Sequence, residues 1–425
     1  MNNVKSPAGR VNPVANPGQV AGEETLLRLL AMPAIHEARE RISHLWSLAY
    51  GEHVPEEARP SFAGAMREYV TNYTIKAIAS DPNQPRFLRD FMPPHRWFDR
   101  EIPGARMGGD NPDNCYRLAG IAHGGCYVVR GKPCGTAPAS VTFTLVANYG
   151  TSVTIQTLDF ETLQRAADDS FTLSIDAEPA AGRPNYLQTA PGVKFLYVRD
   201  TFADWARETP LDLTIERLDA PDAEALTDEQ MVSRAVHRMV EEVPLYYWFT
   251  RLFSAKPVNT LVNPTPSGTL GGLVTQAGAQ GRFHLADDEA MVVRVDPAGA
   301  RYGALAAHDW WFRSLDYWNR TTSLNTADTL PDADGLCTYV VSPADPGAHN
   351  WIDTCGLHDV LMLYRWQGLP ERQVRKGPAI PAVRLVKLRE LESALPKNTV
   401  MVTPAERQRQ REARAAAYAR RLIEH

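Results

Sequence analysis

The sequence has no long apolar run and few cysteines, and both shortages narrow the class of protein. No apolar run approaches the roughly 20 residues that a membrane-spanning helix requires, and the first 22 residues lack the apolar segment of a secretory signal. We therefore expect a cytoplasmic protein without a membrane span. The cysteines are odd in number and match no zinc-binding or CxxC spacing, so we expect free thiols in a reducing compartment. They are Cys115, Cys126, Cys134, Cys337 and Cys355.

Signatures of nucleotide, nucleic-acid and hydrolase function are also missing. The net charge of −5 and the pI near 6.1 do not favour nucleic acid, whose phosphates attract basic surfaces. The glycines between Gly108 and Gly125 lack GxGxxG spacing and are not followed by a helical pattern. No Gly-x-Ser-x-Gly motif is present. We therefore expect no nucleic-acid partner and no cofactor.

The spacing of apolar residues changes along the chain and predicts a mainly β protein with added helices. Spacings of three and four predict helices near the N-terminus, and later alternation predicts an antiparallel β-sandwich or jelly-roll-like fold. Capping boxes at Thr227 and Thr403 predict an inserted helix to about Glu242 and a C-terminal helix. The predicted divisions are a disordered tail (1–22), a helical segment (23–95), a first β-domain (96–220), a helical, aromatic and Gly/Pro-rich connection (221–285), a second β-domain (286–402) and a basic helix (403–425).

The stretch from His308 to Trp366 is the part of the chain richest in Trp, Tyr, Asp, Asn, His and Arg. We predict that it forms three strands, at 311–318, 336–342 and 360–366, and a structured loop at 343–358. A charged side chain within an aromatic strand needs a partner, because burying an unpaired charge is costly. We therefore expect Arg365 to hold the Asp353 carboxylate, either as a structural salt bridge or within a site.

The same stretch predicts a cavity that supports acid–base chemistry. An Asp or His beside aromatic rings can act as acid or base on a small apolar or amphipathic molecule. The predicted catalytic residues are Asp353, His358, Asp316 and Tyr317. The predicted substrate-binding residues are Trp311, Asn319, Asn350, Trp351 and Arg365.

The residues leave three functions open. A cofactor-independent lyase, hydratase or isomerase needs neither a nucleotide motif nor a metal. A non-catalytic ligand-binding or assembly protein would use the same aromatic cleft. The third function is that of a metal-dependent enzyme, because residues of suitable ligand types are present. Their spacing matches no dependable metal-binding pattern. These residues are His308, Asp309, His349, Asp353 and His358.

The arginines of the predicted C-terminal helix form a basic segment on an acidic protein. A charged helix of this kind is either a solvated surface element or a subunit contact in a homo-oligomer.

Several segments of the chain carry a family resemblance. They read PDNCYRLAGI, SVTIQTLDFETL, GRPNYLQTAPGVKFLYVRDTFADW, SLDYWNRTTSLN, DPGAHNWIDT and RWQG, and they span about residues 111–368. Together they resemble the long-form members of the bacterial domain-of-unknown-function family 1214. The resemblance implies a β-sandwich and does not imply a particular reaction. Family members often have His directly after the glycine that is Gly356 here, whereas this chain has Leu357 there and His358 one place later.

Overall fold

The structure is a computed structural model that describes residues 12–147, 153–219, 224–262, 264–266, 276–376 and 378–424. The described part is mainly β and contains antiparallel sheets that pair as two sandwiches, together with a helical layer. This agrees with the predicted fold class. Residues 1–11 of the predicted tail lie outside the described residues.

The helical layer combines helices near the N-terminus with one inserted helix. Its helices are α1 (Pro17–Leu30), α2 (Pro33–Tyr50), α3 (Phe62–Ala79) and α4 (Asp228–Ser254). The break between α1 and α2 falls before Pro33, because proline cannot donate the hydrogen bond that would continue a helix. The capping box at Thr227 is present and begins α4.

Two predictions about these helices are wrong. Residues 17–22 belong to α1, whose Asn16 cap and Pro17 are typical helix starters. Asn12 also packs, because its amide donates to the carbonyls of Arg421 and Ile423 at 3.1 and 3.0 Å. Helix α4 does not end near residue 242 but continues to Ser254, because aromatic side chains in its second half pack within the helical layer.

The first sandwich follows α3 in the chain. Its strands are β1 (Leu88–Asp90), β2 (His95–Trp97), β3 (Arg100–Ile102), β4 (Asn114–Gly120), β5 (Tyr127–Lys132), β6 (Ser140–Val146), β7 (Thr154–Asp159), β8 (Phe171–Asp176), β9 (Tyr186–Gln188), β10 (Phe195–Thr201) and β11 (Asp212–Arg217). A five-stranded sheet, β1-β4-β10-β6-β7, faces a four-stranded sheet, β11-β5-β8-β9, and β2-β3 is a separate hairpin.

Alternating side chains give the five-stranded sheet two different faces. Leu196 and Val198 point into the sandwich core. Phe195 and Tyr197, one residue away on β10, point outward and join the core of the helical layer. The helical layer therefore covers the part of the outer face that carries Phe195 and Tyr197.

The second sandwich follows α4. Its strands are β12 (Thr260–Leu261), β13 (Thr265–Pro266), β14 (Ala277–His284), β15 (Glu289–Val295), β16 (Tyr302–His308), β17 (Ser323–Asn325), β18 (Cys337–Ser342), β19 (Trp351–Asp353), β20 (Asp359–Gln367) and β21 (Ala382–Lys387). One sheet has the order β12-β14-β20-β16-β17, with β13 paired to β14, and the other is β19-β18-β15-β21. The remaining helices are α5 (Glu371–Lys376), α6 (Leu391–Ala394) and α7 (Pro404–Ala419).

The predicted strand at 311–318 is wrong, whereas β18 and β20 confirm the other two strands of the stretch. Residues 309–322 form turns between β16 and β17. The carboxylate of Asp309 accepts hydrogen bonds from the backbone N–H groups of Trp311 and Arg313, both at 3.0 Å. Phe312 has a φ of 62°, in the left-handed region. A side chain that binds nearby backbone groups competes with the strand ladder, and it prevails here.

Helix α7 lies across the junction of the two sandwiches. Its predicted capping box between Thr403 and Glu406 is present. Tyr418 packs edge to face on Trp205 of the first sandwich and on Tyr317 of the second, with ring centres 5.9 and 5.6 Å apart. The interpretation of α7 as a solvated helix is therefore wrong for this face. A homo-oligomer contact through its other faces stays a prediction.

Two further features bear on the expectations above. Among the described residues, no helix is both long and apolar enough to cross a membrane. All five cysteines have free thiols, and Cys115 and Cys337 are buried.

Candidate active site

A pocket of about 280 Å³ lies where the two sandwiches meet α7. We call it the junction pocket. It lies beside the polar and aromatic stretch, and its walls come from the loop after β10, the segment around β17 and one face of α7. The lining residues are Asp204, Trp205, Ala206, Thr321, Leu324, Asp328, His349, Gln410, Ala413, Arg414 and Ala417. Its volume is near the lower end of the roughly 300–1,000 Å³ range of ligand pockets, so it suits a small molecule.

Asp328 is the acidic group of the pocket, and a turn after β17 fixes its position. The buried Asn325 side chain accepts from the backbone N–H groups of Ala327 and Asp328 at 2.9 and 3.2 Å. Asn325 in turn donates to Asp113 at 3.0 Å. The Asp328 side chain keeps 43% of its surface accessible, so a ligand can reach it.

The surroundings of Asp328 favour its protonated form. The pocket walls partly desolvate the carboxyl group and raise its pKa to about 6. The Arg414 guanidinium opposes this effect, and the carboxylates of Asp113 and Asp204 add to it. A carboxyl group that titrates near neutral pH is present in both protonation states under ordinary conditions. It can therefore give or take a proton during a reaction.

Arg414 supplies a fixed cation beside Asp328. It is 8% exposed, and its guanidinium donates to the Ser323 hydroxyl at 2.7 Å and to the Tyr317 carbonyl. The guanidinium lies 4.3 Å from the ring centre of Trp205. Its Nη1 is 3.5 Å from Asp328 Oδ2, which is longer than a good hydrogen bond. This loose contact leaves Nη1 able to bind an anionic group of a ligand.

His349 is a positioning residue in this arrangement. Gln410 donates to His349 Nδ1 at 2.9 Å, and the backbone of Asp328 is a second hydrogen-bond partner of the ring. Burial lowers the pKa of His349 and nearby Arg407 lowers it further. The ring is therefore neutral at pH 7 and connects α7 to the turn that carries Asp328.

The predicted pair between Asp353 and Arg365 is wrong. Asp353 is fully buried, and Arg320 holds it with two hydrogen bonds of 2.8 and 3.0 Å. Arg365 donates to the Gly109 carbonyl instead. Arg320 is in the turn region that replaces the predicted strand, so its side chain reaches Asp353 from a direction that strand pairing did not suggest.

The other predicted catalytic residues have separate partners. His358 contacts Glu57 and Asp287 through its two ring nitrogens at 2.9 and 3.0 Å. Asp316 accepts from the backbone and the side chain of Asn319 within a turn. Tyr317 is buried against Trp205.

The remaining predicted binding residues also have structural contacts. Trp311 donates to Ser61 at 2.9 Å, Trp351 donates to the Ser342 carbonyl at 3.2 Å, and Asn350 donates to the carbonyls of Leu330 and Thr338. None of the nine predicted site residues is among those that line the junction pocket. Their predicted functional roles stay predictions.

Sequence reasoning missed Asp328 and Arg414 because each looks ordinary in isolation. The signal that marks Arg414 is its helical position. Gln410, Ala413, Arg414 and Ala417 share one face of α7 with the buried Tyr418. A helix face that combines alanines, an aromatic residue and one arginine is typical of a packed face.

The five candidate metal ligands do not converge. Within the described part of the chain, no group of three or more His, Cys, Asp or Glu side chains is arranged to hold a metal ion. His308, for example, contacts the Asp110 carbonyl at 2.9 Å, whereas His358 contacts carboxylates elsewhere.

The fold and the pocket together define a two-sandwich protein with a small pocket at the junction. No protein-family model matches the chain, and no curated protein matches its sequence. Some solved structures do match this chain. A protein from Burkholderia cenocepacia, described as uncharacterised, aligns with a TM-score of 0.69 and 26% identity over 87% of this chain and 100% of that chain. The VPA0106 protein from Vibrio parahaemolyticus aligns with a TM-score of 0.43 and 12% identity over 76% and 99% of the two chains.

Proposed function

We propose that the protein is a cofactor-independent enzyme of the lyase, hydratase or isomerase type, with its active site in the junction pocket. The observation that supports this most is that Asp328, whose pKa is raised to about 6, lies 3.5 Å from the fixed Arg414 cation in the wall of the pocket. The substrate is a small molecule with an apolar part and one anionic or carbonyl group. Membership of family 1214 stays a prediction and is not needed for this proposal.

Each wall of the pocket has a task in the proposed reaction. Trp205 and Leu324 contact the apolar part of the substrate, and Arg414 binds the carboxylate or carbonyl oxygen. Asp328 moves a proton to or from a carbon atom of the substrate. The negative charge that develops on the substrate oxygen is stabilised by Arg414, which is already oriented by Ser323 and Tyr317.

Proton transfer to carbon can be tested before the reaction is identified. Hydratases, lyases in the addition direction, and isomerases that exchange the abstracted proton with water all leave a solvent proton on carbon. Such a reaction in D₂O labels the molecule with deuterium. We expect NMR of a panel of small hydroxy, oxo and unsaturated carboxylic acids to show labelling by the wild-type protein. Asp328→Asn should reduce the labelling rate by about 100-fold or more, the usual scale of general acid–base catalysis.

A matched control separates this role from a general effect of charge. Asp334 is an exposed carboxylate that pairs with Arg294 at 2.8 Å on the second sandwich. Asp334→Asn should label substrate at the wild-type rate. Equal labelling by Asp328→Asn would remove Asp328 from the mechanism. Binding of panel compounds without labelling by the wild-type protein would favour the non-catalytic binding protein instead.

A further inference from the structure

A second polar site lies on the outer face of the five-stranded sheet, away from the junction pocket. Strand pairing places Tyr116 of β4, Arg199 of β10 and Thr142 of β6 directly opposite one another. Residues directly opposite in neighbouring strands share a face of the sheet, and neighbouring strands are about 4.8 Å apart. The three side chains therefore form a short row in which the arginine is central.

Arg365 reaches the same place from the second sandwich. Its guanidinium donates to the Gly109 carbonyl, while the N–H of Asn111, two residues further on, donates to the Tyr116 hydroxyl at 3.1 Å. One short loop therefore holds both Arg365 and Tyr116. The guanidinium groups of Arg365 and Arg199 both lower the pKa of Tyr116, against the larger raising effect of its burial.

Within the described residues, the two arginines of this site have no carboxylate as an ion-pair partner. Burial lowers the pKa of Arg199, and the groups that oppose this effect are tyrosines, Tyr116 and Tyr197. Neither Arg199 nor Arg365 forms an ion pair with any carboxylate in the described part of the chain. The row continues to Asp90 and Asp159 at its two ends. These carboxylates instead interact with other cations, namely Lys76 and Arg301.

Hydrogen-bond donors at the site are also unused. Arg199 Nη1 and the Thr142 hydroxyl are buried and have no hydrogen-bond partner among the described residues. Arginine does not escape this cost by losing its proton, because the guanidinium group stays charged in proteins. Tyr116, Arg199 and Arg365 are only partly buried, so the site has accessible surface.

We propose that Arg199, Arg365, Tyr116 and Thr142 form a binding site for a small oxyanion, a carboxylate or a phosphate, between the two sandwiches. The two guanidinium groups bind its oxygens, since their planar forks match carboxylate and phosphate geometry. The hydroxyls of Tyr116 and Thr142 donate to the remaining oxygens. The bound anion satisfies the donors and neutralises the paired positive charges.

The test is calorimetric titration of the wild-type protein with inorganic phosphate, acetate and chloride at matched ionic strength. Phosphate or acetate should bind and raise the melting temperature, whereas chloride should do neither, and the tighter of the two identifies the oxyanion class. Arg199→Gln and Arg365→Gln should each weaken binding by about 10- to 100-fold, the scale of one charge-assisted hydrogen bond. Tyr116→Phe removes one donor and no charge, so it should weaken binding less.

Arg130→Gln is the matched control, because Arg130 belongs to the same sandwich but is exposed and pairs with Glu216 at 2.9 Å. It should bind the anion as the wild-type protein does. If one arginine variant fails to fold, the other and Tyr116→Phe still decide the outcome. Equal effects of chloride and phosphate, or unchanged binding by the folded variants, would overturn the proposal.

Discussion

At the scale of single residues, the positions most easily noticed in the sequence have structural tasks. Asp353 and Trp351 were conspicuous because they are a carboxylate and a large ring in one short segment. Both are buried at the end of the second sandwich, where α7 and Arg320 cover them. The sequence therefore showed the chemical type of each side chain, but it did not predict which residue each side chain contacts.

Asp353→Asn should lower the free energy of unfolding by about 1–3 kcal/mol, the cost of weakening a buried charged hydrogen-bond pair. The loss stays in that range because Arg320 is 39% exposed and can recruit water. Urea denaturation measures this loss, with the partly exposed Asp316→Asn as a control that should change stability by less than about 0.5 kcal/mol. Unchanged stability with lost deuterium labelling would instead assign Asp353 a catalytic role.

Asp328→Asn should have the opposite effect on stability at alkaline pH. Burial raises the pKa of Asp328 from 3.8 to about 6, so the folded protein binds this proton more tightly than the unfolded chain does. The free energy of unfolding of the wild type therefore falls as pH rises from about 3.8 to about 6. Above the pKa of the folded state, the whole destabilising effect is present. The variant should melt at a higher temperature than the wild type at about pH 8 and lose this advantage at about pH 4. A lower melting temperature of the variant at both pH values would contradict this prediction.

At the scale of elements, capping motifs and apolar spacing predicted helices and strands correctly where neighbouring residues determine the backbone conformation. Both predicted capping boxes are observed. The failures occur where distant contacts decide. The aromatic half of α4 stays helical because the helical layer covers it, and residues 311–318 are turns because Asp309 binds their backbone. Neither contact is visible within a short window of sequence.

The contact between α3 and β1 offers a direct test of a buried ion pair. Lys76 and Asp90 are both fully buried and 3.9 Å apart, and Lys76 Nζ has no hydrogen-bond partner in the described part of the chain. Lys76→Met alone should destabilise the protein by about 3 kcal/mol or more, because Asp90 is left without its cation.

Adding Asp90→Asn to Lys76→Met should restore most of that stability, since paired replacement of a buried ion pair is often neutral. Chemical denaturation of the two single variants and the double variant completes a double-mutant cycle. The exposed pair of Arg130 and Glu216 is the reference, for which Arg130→Met should cost less than about 1 kcal/mol. A double variant no more stable than Lys76→Met would show that the pair is not coupled.

At the scale of the whole molecule, the sequence predicted the class of fold and the approximate location of a pocket, but not how the parts assemble. The junction pocket takes residues from three regions that are far apart in the chain, represented by Trp205, Asp328 and Arg414. A single sequence contains no direct record of such long-range contacts. The same limit applies to Arg199 and Arg365, which belong to different sandwiches.

His358 should connect the helical layer to the second sandwich in a pH-dependent way. Its hydrogen bonds to Asp287 and Glu57 raise its pKa above the ordinary value of 6.5. Its stabilising contribution is therefore complete below the unfolded pKa and is lost as pH rises through the folded pKa. His358→Gln should be less stable than the wild type at about pH 5.5, and the difference should shrink at about pH 8.5. The exposed His36→Gln should show no such trend in melting temperature, and an equal trend would refute the assignment.

The thiols report on the integrity of the whole fold. Cys126 is exposed, whereas Cys115 and Cys337 are buried in the two sandwiches. Without reductant, a thiol reagent should react first with Cys126 in the native protein and should count five groups after denaturation. A denatured count of three or one would demonstrate a disulfide.

The position of α7 has a consequence for biosynthesis. Both sandwiches leave the ribosome before α7 does, yet α7 supplies Arg414 and closes the junction pocket. Domains generally fold in the order in which they are synthesised, so the nascent sandwiches carry Asp328 and Trp205 without the cation that faces them. The pocket therefore stays incomplete until α7 has been synthesised and has packed against both sandwiches.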